Sequence, residues 1–272
     1  MRLNRIFSVS FSPTGTTHRL VRLLAETIAR EGQIPWEDLP YTAPRERKAY
    51  AFLPGDLVIV GSPTYAGRLP NKIMPELREK LRGGGALAAA AVTFGGRAYD
   101  NALAELVSLL DRGGFHTVAA GAFVSRHAFT DRLQPGRPDL SDQREAAEFA
   151  GRIAEKISSL TEIPPSIQVP GDPAGPYYVP KGLDGQPANF LKARPGTDLA
   201  RCSRCGACAR LCPMGAIDPE DPASVPGTCI KCQRCVRRCT RGAKFFDDPA
   251  FLSHVAMLER DFQDAKENEV FL

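Results

Sequence analysis

The stretch RIFSVSFSPTGTTHRLVRLLAETIAR, residues Arg5 to Arg30, decides the fold. An apolar run through Ile6–Ser10 enters a hydroxyl-rich turn, Ser10-Phe11-Ser12-Pro13-Thr14-Gly15-Thr16-Thr17. His18 to Arg30 then spaces Leu20, Val21, Leu24 and Ile28 at helical intervals, so strand, loop and helix follow one another. The pattern repeats outward. Gln33–Leu39 predicts a weaker strand, and Asp56–Val60 a β-branched one that ends in a Pro/Gly loop. Asn71–Leu81 reads as a helix with Ile73, Leu77 and Leu81 on one face, and Pro75 fits only in its first turn. Ala86–Val92 is short, apolar and bounded by glycines, which predicts a buried strand. Ala98–Leu110 predicts a helix stopped by Gly113–Gly114, Phe115–Val124 a strand and Asp142–Leu160 a closing helix. Five strands with helices between and after them predict an α/β domain over residues 1–160, with a doubly wound parallel sheet.

The rest of the chain differs in kind. Eight prolines fall between Pro164 and Pro195, so residues 161–199 read as an extended connector. Tyr177, Tyr178 and Phe190 give that connector something to bury, which predicts an ordered strap. Residues 200–247 hold an internal repeat. Cys202-x2-Cys205-x2-Cys208-x3-Cys212 recurs 27 residues later as Cys229-x2-Cys232-x2-Cys235-x3-Cys239. Residues 248–272 read as a tail helix capped by Asp248 with Pro249 at its first position. Leu252, Val255, Leu258 and Phe262 are its expected packing face.

Charge and sulfur share one place. The chain of 272 residues carries a net +4, yet Arg201–Phe245 alone holds nine Lys/Arg against three acids. That window is +6 and the remainder −2. The 43% hydrophobic content excludes a wholly disordered chain. No apolar run approaches the roughly 18–20 residues that cross a bilayer. The first residues lack a signal-peptide core, so a cytoplasmic setting away from membranes is expected.

All eight cysteines lie between Cys202 and Cys239. Disulfides do not suit a cytoplasmic chain, and zinc takes two ligand pairs separated by a longer loop. Three closely spaced thiolates plus a fourth suit a cubane whose corners each take one sulfur, and C-x2-C-x2-C-x3-C-P is the bacterial [4Fe–4S] spacing. In two-cluster proteins the fourth Cys of each run serves the other cluster. One [4Fe–4S] cluster is therefore expected on Cys202, Cys205, Cys208 and Cys239, and the other on Cys229, Cys232, Cys235 and Cys212. Pro213 follows Cys212, but Thr240 follows Cys239. Two oxidised clusters carry about −2 each, which the local bases offset. No helix-turn-helix, zinc-finger or RNA-binding signature accompanies those bases, so a nucleic-acid partner is not expected.

Three loops leave the carboxyl ends of successive predicted strands. The first offers hydroxyls and a helix N-terminus without lysine, which suits a phosphate held by hydrogen bonds. The second runs from Gly61 to Pro70 and the third from Thr93 to Asp100; each sets an aromatic beside glycines. That combination gives a planar ring a stacking face and a close backbone for its polar edge. Neither G-x-x-x-x-G-K nor G-x-G-x-x-G is present in these loops, so direct nicotinamide use is not expected. The histidines His18, His116, His127 and His254 are scattered and support no hydrolytic site.

With these residues in view, the first 160 resemble a flavodoxin, through Ser12-x-Thr14-Gly15-x-Thr17 and the two aromatic/glycine loops. Residues 200–245 resemble a two-[4Fe–4S] bacterial ferredoxin. Together they resemble the flavodoxin–ferredoxin fusion proteins of anaerobes. The resemblance implies a five-stranded sheet in the order 2-1-3-4-5, a small α+β ferredoxin domain, and non-covalent FMN. Ser12, Thr14, Gly15, Thr16 and Thr17 would hold the FMN phosphate. Pro63, Thr64, Tyr65, Ala66 and Gly67 would line one side of the ring, and Thr93, Phe94, Gly95, Gly96 and Tyr99 the other. The implied role is single-electron transfer between clusters and FMN, with a protein redox partner. Two other roles compete: an FMN-dependent reductase of a small organic acceptor, and a redox sensor that meets nucleic acid. A homodimer, or a ferredoxin module that moves, is expected only if the cofactors of one chain lie too far apart.

Overall fold

Alternation along the strands builds two cores, one on each face of a sheet. The computed structural model describes residues 1–272. Strands β1 (Arg5–Ser10), β2 (Trp36–Pro40), β3 (Asp56–Pro63), β4 (Leu87–Phe94) and β5 (His116–Val124) pair in parallel, in the order 2-1-3-4-5. Ile6, Leu57, Ile59, Ala89 and Ala91 point to one face. There they meet Val21, Leu24 and Ile28 of α1 (Thr16–Gly32), with Phe149 and Ile153 from the last helix of the domain. Phe7, Val9, Val58, Val60, Ala88 and Ala90 point to the other face. Leu77 of α2 (Met74–Lys80) and Leu103, Leu106 and Leu110 of α3 (Ala102–Arg112) cover them. The closing helix is α4 (Leu140–Ser159). Each fully buried Leu, Ile or Phe contributes about 1.5–3 kcal/mol. A register slip of one residue would expose a whole face.

Several expected boundaries shift. Helix α2 starts at Met74, with Pro75 in its first turn, and Leu81 has left it. Leu81–Arg82 instead pairs with Tyr50–Ala51 as a two-residue ladder. Helix α3 starts at Ala102 because Asp100 turns into the left-handed region at φ 40°.

The cysteine module repeats its backbone as well as its sequence. Arg204 and Lys231 share φ values of 53° and 55°, Gly206 and Gln233 share 67° and 63°, and Gly215 and Gly242 share 58° and 59°. Each pair is 27 residues apart, so the two halves fold alike. Short helices α5 (Ala207–Leu211) and α6 (Arg234–Arg237) occupy equivalent places. Gly196–Thr197 pairs with Lys244–Phe245 and joins the two ends of the module.

The connector is tied to the α/β body. The Ile167 N–H donates to Thr117 O (2.8 Å), and the Tyr178 N–H to Ala66 O (2.9 Å). The Tyr177 hydroxyl donates to Leu69 O (2.7 Å). Helix α7 (Pro249–Asp261) is capped by the Asp248 carboxylate, which accepts from the Phe251 N–H at 2.8 Å.

The buried face of α7 keeps Leu258 and Phe262 of the expected one but is otherwise rotated. Phe251, His254, Met257 and Leu258 point inward, while Leu252 is 47% exposed. The inward residues meet two surfaces at once: Leu133 with Phe129, and Phe190 of the connector. Beyond α7 the tail leaves the helix. Glu269–Phe271 forms β6, antiparallel to β5, and adds an edge strand to the expected five.

Candidate cofactor site

A cavity of about 600 Å³ opens at the carboxyl ends of β1, β3, β4 and β5. The strand order reverses there, which is where doubly wound sheets hold their ligands. Thr14 and Thr16, Pro63–Gly67, and Thr93, Phe94 and Gly95 line it. The three loops singled out in the sequence therefore converge.

The first loop is built to leave donors free. Gly15 sits at φ 93°, a left-handed position that suits glycine, and offers no side chain to cap α1. Ser12 is turned inward: its N–H donates to Thr42 Oγ1 (2.8 Å) and its Oγ accepts the His18 N–H (3.0 Å). Thr17 is also buried, with its Oγ1 2.7 Å from Thr93 Oγ1. That contact fixes the first loop against the end of β4.

The sequence showed no lysine in this loop, yet the fold brings three arginines beside it. A Cβ added to Gly15 would stand 3.3 Å from Arg238 Nη2 and 3.4 Å from Arg19 Nη1. Arg234 Nη1 donates to Ser12 O (3.2 Å) and Pro13 O (2.9 Å).

The second loop is a tight hairpin. Tyr65 and Arg68 exchange backbone hydrogen bonds of 2.7 and 3.1 Å around Ala66 and Gly67, which take φ 48° and 77°. Arg68 points away from the cavity. It pairs with the buried Glu105 at 2.7 Å, donates to Pro173 O (2.9 Å), and so clamps loop, α3 and connector together. Arg97 lines the cavity, with its guanidinium 4.1 Å from the centre of the Tyr178 ring. Thr64 Oγ1 is buried on this wall without a hydrogen-bond partner. Such a group requires a ligand or water.

In the third loop Phe94 faces the cavity and Tyr99 stands behind it, ring centres 5.5 Å apart. The Tyr99 hydroxyl donates to Glu269 of β6 at 2.7 Å. Gly96, at φ 95°, lies against Gln134. Gly95 is a cradle, since a Cβ there would come within 2.7 Å of His127.

A further wall was not marked in the sequence as cavity lining, although Tyr177, Tyr178 and Phe190 were expected to find a surface to bury against. The loop after β5 supplies Ser125–Phe129, and the connector supplies Tyr177, Tyr178, Pro180, Phe190 and Leu191. Helix α7 supplies His254 and Leu258. Burial, reinforced by His254, Arg237 and Arg97, holds His127 down to about 4, so it is neutral at neutral pH. Its Nδ1 accepts the Phe129 N–H (3.1 Å), which leaves the proton on Nε2. His254 places Nδ1 2.8 Å from Lys181 O.

The cysteine module closes the cavity. Thr228, Cys229, Ile230 and Lys231 form its last wall. Cys229 also borders a second, small pocket with Cys212, Cys232 and Cys235, walled by Pro213, Ile217 and Val225. Burial pushes the Cys235 thiol up to about 12 and the Cys232 thiol up as well. The other cysteines lie farther out, and Cys205 is the one exposed cysteine. The Ala207 N–H and the Ser203 hydroxyl hold the Cys205 thiol below its ordinary range. Backbone N–H groups repeat around the sulfurs, with Ala216 N to Cys212 Sγ at 3.3 Å and Ala243 N to Cys239 Sγ at 3.2 Å. Directed N–H donors of this kind are what bound thiolates accept. No group of three or more His, Cys, Asp and Glu side chains is arranged to hold a metal ion. Instead, Cys212, Cys229, Cys232 and Cys235 surround a pocket.

Residues 195–218, which contain the first cysteine run, match a family model described as a 4Fe-4S binding domain. No curated protein matches the chain. Among solved structures it is similar to a flavodoxin from the domain Archaea, with 17% identity, 57% of this chain and 99% of that one covered, and a TM-score of 0.40. It is also similar to flavodoxin 1 from Bacillus cereus, with 16% identity, coverage of 58% and 100%, and a TM-score of 0.39. A third is rubredoxin oxygen:oxidoreductase from the anaerobe Desulfovibrio gigas, with 18% identity, coverage of 58% and 37%, and a TM-score of 0.38. By its own strand order and its matched cysteine run, the chain joins a flavodoxin-like α/β fold to a 4Fe-4S binding region.

Proposed function

We propose that the chain passes single electrons between two [4Fe–4S] clusters and FMN held in the large cavity. The observation that carries this reading is the shared wall: Cys229 borders both the cavity and the four-cysteine pocket. Such clusters exchange one electron at a time and a flavin takes one or two, so the protein needs no nucleophile or proton-transfer triad of its own. Its task is to bind, orient and exclude water. Thr14, Thr16 and the first-turn N–H groups of α1 suit a phosphate, with Arg238 and Arg19 for charge. Tyr65 and Phe94 suit the two faces of a ring, and Thr64 Oγ1 offers its free hydroxyl to the polar edge. Connector and α7 roof the site against bulk water. In this reading the chain works in the cytoplasm.

In this reading both cofactor sites meet within one chain, and internal transfer requires no dimer. The test is anaerobic reconstitution of the full chain. About one FMN and about eight irons per chain are expected. A chain that binds iron but rejects FMN would overturn the reading.

A second reading keeps the same site and adds a small organic acceptor. Its support is the wall beyond the strand loops, where Phe129, Phe190 and His254 pack together with ring centres 5.2–6.5 Å apart. Turnover with soluble quinones by the reduced holoprotein would select it.

A further inference from the structure

The repeat in the cysteine module is symmetric in backbone but not in use. In the second half, three of the bases are spent inside the chain. Lys231 Nζ donates to Leu191 O (2.5 Å), and Arg234 to Ser12 O and Pro13 O. Arg237 donates to Ala128 O (3.0 Å) and pairs with Asp131. These contacts seat the module on the flavodoxin-like body and on the connector. Twenty-seven residues earlier, Arg204 and Arg210 occupy the places of Lys231 and Arg237, yet both are exposed. Arg201 and Arg241 are exposed as well.

All four lie within two residues of a cysteine in the set Cys202, Cys205, Cys208 and Cys239. Arg210 Nη1 donates to Cys205 O (2.8 Å) and Arg204 precedes Cys205 in the chain, so a rim of basic residues flanks the exposed cysteine. Only Arg201 has an acidic neighbour, Asp198 at 3.3 Å, and that pair is open to solvent. Exposed pairs of this kind add little, so the rim keeps its positive field.

We infer that this outward rim is the docking face for a second protein, an acidic one-electron carrier, which meets the chain at the Cys205 edge. The bases used within the chain lie in the second half of the repeat, and the face offered to the partner joins the first half to Arg241 beside Cys239. A nucleic acid would be served by basic residues anywhere on the surface. The concentration of the free ones around a cysteine edge serves a partner that must come close to the redox centre. The exchange is one electron, lost by the carrier and gained by the chain, with no bond or proton transferred. This inference rests on the cluster assignment proposed above, which iron and acid-labile sulfide content reports separately on the same preparation.

The experiment uses anaerobic holoprotein and, as the probe, a reduced small bacterial ferredoxin of strongly negative net charge. Its electron-transfer rate constant should fall steeply as salt rises, and by about tenfold or more in Arg204→Glu/Arg241→Glu. Neither side chain makes an ion pair or hydrogen bond in the structure, so the variant should keep its iron. Reduction by photoreduced deazaflavin, a small neutral reductant, should be unchanged in this variant, and Arg152→Glu on α4 should match the wild type with either reductant. Should the double variant lose iron, the salt dependence of the wild-type rate decides alone. A rate insensitive to salt overturns the inference. So does unaltered carrier reduction in an iron-replete double variant, or a charge-reversal effect seen only on binding to a short DNA duplex.

Discussion

Arg234 is the residue by which the cysteine module holds the loop before α1, proposed above to take the FMN phosphate. It is half-buried, its Nη1 serves two carbonyls at 2.9 and 3.2 Å, and its Nε is buried without a partner. In Arg234→Met the packing stem is kept and the charge removed. A charge-assisted hydrogen bond contributes about 1.5–3 kcal/mol. The two bonds share one nitrogen, and relief of the orphaned Nε offsets part of the loss, so a net of about 1.5 kcal/mol is expected. That is roughly tenfold in the equilibrium between seated and unseated module. Hydrogen exchange of peptides spanning residues 12–17 and 228–239 should accelerate by about that factor. FMN titration of flavin-free protein, followed by fluorescence quenching, should show weaker binding by up to the same factor. Arg22→Met, which removes an exposed pair with Glu26 on α1, should change neither readout. Exchange and affinity both unchanged in Arg234→Met would refute the idea that the module shapes the phosphate loop.

Three further outcomes follow from the site. The folded chain holds His127 at about 4 against about 6.5 unfolded, so the stability it confers is complete above pH about 6.5. It should be lost as pH falls toward about 4, by about 3 kcal/mol, and His127→Asn should flatten that limb in urea titrations. Gly67→Ala places a Cβ 2.1 Å from Asp100 Oδ2 at φ 77°, so a loss of about 1–2 kcal/mol in thermal stability and weaker FMN binding are expected. Cys229→Ser should halve the iron content and perturb the absorption of bound FMN, whereas Cys205→Ser should lower iron while leaving that absorption unchanged.

What the sequence made legible was local or periodic. The helical stripe of Leu20, Val21, Leu24 and Ile28, the glycine at residue 15 and the cysteine spacing each state their chemistry within a few residues. Three walls of the cavity were found that way. The other two were not, because Ser125–Phe129, Phe190, His254 and Thr228–Lys231 reach it from separate loops and a helix that carry no common pattern. The α7 face was misjudged for a related reason: Phe251 and His254 answer to the connector and Met257 to Leu133, so no single stripe marks the buried side. Strand β6 was hidden because three residues, Glu269–Phe271, pair only once an edge 145 or more residues earlier exists. The arginines showed as charge alone. Only the fold separates Lys231, Arg234 and Arg237, which bind within the chain, from Arg204 and Arg241, which do not.

The central claim is that electrons cross between cysteine module and cavity inside one chain. Stopped-flow reduction of the anaerobic holoprotein at several protein concentrations tests it most directly, with flavin bleaching followed after the iron–sulfur absorption has changed. A bleaching rate that does not depend on protein concentration and that collapses in Cys229→Ser is expected. A rate proportional to protein concentration, or one untouched by that substitution, would contradict it.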